Sequence, residues 1–370
     1  MAALLIVLPA ACDNGNNFTQ ESGFAEILAS LSDKPPAETD RLLLFTHKPE
    51  LYIAPNADGP LDFYADYIAH GVLSDGSGRL IENPNASMLN ALKHDAKAVF
   101  KHRPATPTPP ITPVAYGGVY RATLSLPNIG DVPFTFLSYH FAFRRSGLPA
   151  GISGWLRFIA QSVSDTEDWH QLDHYTAVFI ALVGDKPLAV MLQQHNYLRT
   201  YLIGEDDAFG ITEAVMIDAA ISSNELYPHR SSLTKRRAAG FLGDSTVDYL
   251  VGKTDKTSGF SIAADITHGA RRVNYELRFL PPNDAFYVFS GYLGERRFLP
   301  GRDGPPGAIY RIYPHHLVPP EVSLYSFYWR DNDPEYADIL HTDGFGKKSL
   351  EKLKMRFALA LKASGLWEDS

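Results

Sequence analysis

Asp168-Trp169-His170-Gln171-Leu172-Asp173-His174-Tyr175 packs six side chains that can ligate a metal, move a proton or hydrogen-bond a ligand into eight residues. The segment runs directly into the apolar stretch Thr176 to Val183, which reads as a buried strand. Polar groups at the mouth of such a strand cost free energy unless something binds them. His170 and Asp173, three apart on a loop or half-turn, can share one ligand. Asp173 and Tyr175 share a face if the strand begins early. Two oxygens and an imidazole suit a hard or borderline cation, Mg2+, Ca2+ or Zn2+. The competing reading is a capping aspartate beside surface histidines, which is unsurprising in a chain with 13 histidines.

A second set of candidates follows the next strand, Leu188 to His195. Gly184-Asp185-Lys186-Pro187 has the composition of a tight turn, so this strand pairs as a hairpin with the one that His174 begins. The pairing brings His195 toward His174 and Asp173. Gln194, His195, Tyr197 and Tyr139 then make a polar ligand-binding set, with His174 beside them. A Gln, His and Tyr on one sheet face also suit proton abstraction next to a carboxylate, the chemistry of polysaccharide lyases. Arg144-Arg145, Arg236-Arg237, Arg271-Arg272 and Arg296-Arg297 hold phosphate or uronate if clustered, and are solvated charge if scattered. The chain has no Gly-rich phosphate loop, no Gly-x-Ser-x-Gly elbow and no His-Glu-x-x-His helix.

The elements that position these residues are mostly strands. Aromatics reach 12% of 370 residues, with 28 Gly and 26 Pro, a composition that favours β-structure with frequent turns. About ten short apolar runs without βα alternation predict an all-β fold, an antiparallel β-sandwich of jelly-roll type. Helix is expected at the periphery. Leu89, Leu92, Ala96 and Phe100 share a helical face across Ala86 to His102. Leu350, Leu353, Phe357 and Leu361 make a stripe on a C-terminal helix. The run Leu42-Leu43-Leu44-Phe45 reads as the first strand, and Phe286 to Tyr292 as a late one. A formal charge of −8 leaves no basic surplus for phosphates, which argues against nucleic acid as a partner.

The single cysteine, Cys12, excludes an intrachain disulfide and a thiolate zinc site. Met1 to Ala11 is apolar and ends in small residues, like the end of a bacterial lipoprotein signal with Cys12 as the lipidated residue. Asp13 after it suggests retention on the periplasmic face of the inner membrane. The expected organisation is a lipoprotein signal over 1–12 and a tether with a short helix over 13–40. A β-sandwich domain over 41–330 and a C-terminal helical segment over 331–370 complete it.

Three segments in order resemble the family of vacuolar protein sorting protein 62, related to necrosis-inducing proteins. They are Lys48 to Pro55 with Phe63 to Ile68 behind it, Phe134 to Phe143, and His170 to Ile180. Gln194-His195 and Ser223-Asn224-Glu225-Leu226-Tyr227-Pro228-His229 fall where the family has a Gln-His and a turn ending in Tyr-Pro. The resemblance implies a β-sandwich with a loop-borne site. In necrosis-inducing relatives a His, an Asp three residues on and a Glu two beyond bind a divalent cation. His170 and Asp173 match the first two positions, and Tyr175 stands where the Glu is expected. The relatives include membrane-damaging toxins.

These readings converge on a cell-envelope lipoprotein. Its β-sandwich binds a glycan or lipid headgroup through a divalent cation at His170 and Asp173, with His174, Gln194, His195 and Tyr139 around the ligand. The rivals are a polysaccharide lyase or other carbohydrate-active enzyme, and a structural subunit of an envelope complex.

Overall fold

The computed structural model describes residues 31–55, 57–103, 111–144, 172–194, 197–204, 209–210, 214–221, 224–229, 270–294 and 347–366, with the backbone alone at 173–175, 193–194, 197–199 and 347–353. The spine is a six-stranded sheet in the order β13-β5-β6-β7-β8-β9. Its members are β5 (Val114–Leu126), β6 (Gly130–Phe143), β7 (Asp173–Val183), β8 (Lys186–Gln194), β9 (Tyr197–Leu202) and β13 (Glu276–Arg278). Successive strands β5 to β9 lie side by side as an antiparallel meander, with short connections joining β5 to β6, β7 to β8 and β8 to β9 and the longer stretch 144–172 between β6 and β7. Gly184, at φ 63°, occupies the left-handed position of the two-residue loop between Val183 and Lys186. The expected turn and hairpin are therefore present.

A second sheet, in the order β11-β10-β1-β12, consists of β1 (Glu50–Ile53), β10 (Met216–Ala219), β11 (Leu226–Pro228) and β12 (Arg271–Val273). A third holds β2 (Gly71–Ser74) between β3 (Leu80–Glu82) and β4 (Val99–His102). The fold is all-β with a C-terminal helix, as expected. The sheets are mixed, since β1 pairs β10 and β13 pairs β5 in parallel.

The run from Thr176 to Val183 has no polar alternation because both faces of β7 are covered. Val178, Ile180 and Leu182 join a cluster with Leu51, Ile53, Ile217 and Val273 of the second sheet. Ala177, Phe179 and Ala181 face the other way, in a cluster with Phe357 and Leu361 of the C-terminal helix (Lys347–Ser364). A third cluster gathers Phe63, Tyr67, Phe100, Tyr116 and Phe286 around the three-stranded sheet.

Three local expectations are corrected. Leu42 to Phe45 lies in helix α1 (Glu38–Thr46), where only Leu44 is buried while Leu42 and Phe45 are 59% and 53% exposed. Four apolar residues in a row carry no period, and leucine with Glu38 and Asp40 in the first turn favours a helix. The helix at Ala86 stops at Ala91 as α2, and the chain turns at Asp95 to form β4. Asp95 accepts from the Gly76 and Lys97 amides at 2.7 and 2.9 Å, which stabilises the turn. Phe100 is fully buried all the same, from a strand. Phe286 begins not a strand but the single turn α3 (Ala285–Val288), capped by Asp284, whose carboxylate accepts from the Phe286 amide at 2.9 Å. The helix at Lys347–Ser364 is α4. The short helix expected near Phe24 and the strands expected at Ser261, Ile309 and Val322 lie outside the described residues.

Candidate functional site

One face of the second sheet carries a group of interacting polar side chains. Alternation along β1 sends Leu51 and Ile53 into the core and leaves Glu50 and Tyr52 on the opposite face. The same alternation in β10 buries Ile217 and Ala219 in the shared core and puts Asp218 with Tyr52. Register then sets Arg272, Tyr52, Asp218 and Tyr227 in one row across four strands. Asn224, at φ 57°, closes the turn between β10 and β11, a left-handed position that asparagine tolerates. The return of the chain brings the His229 amide onto the Met216 carbonyl at 3.0 Å and its ring beside Asp218.

Nδ1 of His229 lies 2.5 Å from Oδ1 of Asp218, and the two side chains are 6% and 0% exposed. That contact commits Nδ1 to the carboxylate and fixes the orientation of the ring. The imidazole stacks on Tyr52 with centroids 3.9 Å apart and planes at 16°. The Tyr52 hydroxyl donates to Glu50 Oε2 at 2.9 Å, and Glu50 Oε1 meets Nη2 of Arg272 at 2.9 Å. A chain of contacts therefore runs from buried Asp218 out to Glu50 and Arg272. Beside it, Tyr227 donates to Glu225 Oε2 at 2.6 Å.

Glu50 and Arg272 open onto a cleft of about 560 Å³, which Lys48, Asn274 and Tyr275 also line. Lys48 Nζ donates to the Tyr275 carbonyl at 2.6 Å and lies 4.0 Å from the centroid of the Tyr275 ring. Partial burial, and after it the nearby Arg272 guanidinium, hold the Lys48 ammonium below its ordinary pKa. Burial pushes the Tyr275 phenol well above its ordinary value. Its hydroxyl donates to the Pro49 carbonyl at 2.6 Å, which fixes the buried ring beneath Lys48. Two cations beside one carboxylate can hold an anionic group.

A wider depression of about 620 Å³ lies beside the β2–β3 loop, lined by Asp75, Ser77, His94 and Asp95. Its carboxylates are engaged within the loop: Asp75 accepts from the Ser77 and Arg79 amides at 3.0 and 2.9 Å, and Asp95 from Gly76 and Lys97. They stabilise the turn and offer a ligand little.

The residues expected to form the site are placed as follows. Asp173 and His174 open β7 and Gln194 closes β8, so the antiparallel register sets them at the same end of one hairpin. His170, His195 and Cys12 lie outside the described residues. Tyr139 is fully buried between the two larger sheets, and its hydroxyl donates to the Leu44 carbonyl at 2.9 Å. Of the four arginine pairs only Arg271-Arg272 is wholly described: Arg271 donates to the Ala57 carbonyl at 2.9 Å and Arg272 faces the cleft. Among the described residues no group of three or more His, Cys, Asp or Glu is arranged to hold a metal. The His229–Asp218 pair and the Lys48 cleft were not singled out from sequence as a site. One signal was available: Asp218 interrupts the apolar run Val215-Met216-Ile217-Asp218-Ala219-Ala220, where a carboxylate needs a partner.

No protein-family model and no curated protein matches the chain. Among solved structures it is similar to Necrosis and Ethylene inducing Protein 2 from the causal agent of cocoa's Witches Broom disease. The two are 14% identical, with a TM-score of 0.28, over 55% of this chain and 74% of that one.

Proposed function

We propose that this chain is a cell-envelope lipoprotein whose all-β body binds a glycan or a lipid headgroup in the cleft at the head of β1. The observation that carries the reading is the concentration of Lys48 and Arg272 in one cleft of a chain of formal charge −8. An acidic protein that gathers two cations in a concave site favours an anionic ligand there and repels it elsewhere. The Asp218–His229–Tyr52 row supports the floor from behind. Cys12, after its apolar run, supplies the anchor that holds the domain at the membrane.

The full chain is to be passed over immobilised acidic and neutral oligosaccharides and over vesicles with and without anionic lipid. Retention on an acidic surface is expected, weakening as salt rises. The double variant Lys48→Gln, Arg272→Gln should lose it. Equal retention of wild type and double variant would remove the cleft as the binding site.

A further inference from the structure

Among the described residues Lys48 and Arg272 face a single carboxylate in the cleft, an excess of one positive charge. We propose that its ligand is a carboxylate monoanion that takes Arg272 and Lys48, and that Glu50 is the internal counter-ion holding that place in the free protein. This inference rests on the reading of the cleft as the ligand site.

Glu50 divides its two oxygens between unlike partners. Oε1 meets Arg272, whose side chain is 63% exposed, while Oε2 accepts from Tyr52, whose ring is stacked on His229. Arg272 is thus the movable partner and Tyr52 the fixed one. When a ligand carboxylate arrives at the guanidinium, Glu50 keeps its bond to Tyr52. The contact between Arg272 and Glu50 runs through one nitrogen to one oxygen. A guanidinium offers five donors in a planar fork, so an edge remains that matches a planar carboxylate.

Lys48 adds the second point of attachment. It gives one donor to the Tyr275 carbonyl, and among the described residues no partner takes the other two. Its ammonium is held next to a like charge, a position that a bound anion relieves. A monoanion balances the excess of one charge, whereas a phosphate dianion overshoots it. Glu50 is itself a carboxylate resting on the arginine, and so displays the geometry that the ligand has to reproduce.

The test is calorimetric titration of the full chain with a galacturonate trisaccharide, a neutral glucose trisaccharide and inorganic phosphate. Wild type should bind the galacturonate best. Glu50→Gln removes the competitor and should tighten galacturonate binding about five- to tenfold. Tyr52→Phe removes the bond that draws Glu50 away from Arg272, and should weaken binding several-fold. The opposite signs of these two variants separate the proposal from a general loss of fold, which thermal melts check independently. No binding of any probe by wild type would remove the cleft as a ligand site, and with it the functional reading. Binding of phosphate in preference to galacturonate would overturn the carboxylate assignment. Galacturonate binding by wild type that Glu50→Gln leaves unchanged or weakens would overturn the counter-ion role alone.

Discussion

His140 stands on β6 between the cross-strand neighbours Tyr116 and Ala177, with its ring against Tyr287 and Phe179 at centroid distances of 5.2 and 5.7 Å. It is buried, and among the described residues neither ring nitrogen has a hydrogen-bond partner. Burial lowers its pKa to about 3 from an ordinary 6.5. The unfolded chain therefore takes up a proton first as pH falls. The resulting loss of stability begins below about 6.5, proceeds at about 1.4 kcal/mol per pH unit and is complete near 3. His140→Leu should raise the unfolding free energy at pH 7 by about 1 kcal/mol, because it removes two unsatisfied polar atoms. Between pH 7 and 5 the advantage of the variant should grow by roughly 2 kcal/mol. Urea unfolding at the two pH values measures both, and an unchanged difference would mean that the imidazole titrates normally in the folded state. The Asp218–His229 pair is the contrasting case, a buried imidazole with its partner in place.

Among the elements, the C-terminal helix α4 shows how one face carries the energy. Phe357 and Leu361 are fully buried, and Phe357 stacks on Phe134 with centroids 5.1 Å apart. Leu359 points outward and is 62% exposed. Phe357→Ala should cost about 3 to 4 kcal/mol by opening a cavity between helix and sheet. Leu359→Ala should change stability by less than about 0.5 kcal/mol. Chemical denaturation separates them, and similar losses from both would deny that the helix is docked by the Phe357 face. The join at β4 depends on a close approach instead. A Cβ at Gly291 would lie 2.1 Å from the Ala98 carbonyl oxygen, so only glycine lets the chain pass there to reach the bridge between Tyr292 and Val99.

At the scale of the whole molecule, two sheets share the core that also buries Tyr139, while the cleft opens at the rim of the smaller one. No helix among the described residues is long and apolar enough to cross a membrane. The proposed lipid anchor at Cys12 has its own test. Metabolic labelling with a fatty-acid probe should mark the wild type and not Cys12→Ala. Equal labelling of both would place the lipid elsewhere, and labelling of neither would remove the anchor from the proposed function.

By itself the sequence determined the class of fold and much of its wiring. The apolar runs at β5 to β9, the Gly184 turn and the stripe ending at Phe357 and Leu361 were all legible, because each depends on neighbours a few residues away. Where an apolar run was short, as at Leu42 or Phe286, its hydrophobic pattern alone did not choose between helix and strand. The acidic first turn and buried Leu44 chose in one case, and the Asp284 cap in the other. The candidate site belongs to tertiary structure almost entirely. Glu50, the Asp218–His229 pair and Arg272 come from three separated stretches of chain, and the pairings of β1 with β10 and β12 and of β10 with β11 align them. In sequence Arg272 stood out only as half of an arginine pair and His229 only as the end of a turn. What distinguishes them is a long-range register that puts polar side chains on one face of a sheet whose other face is core.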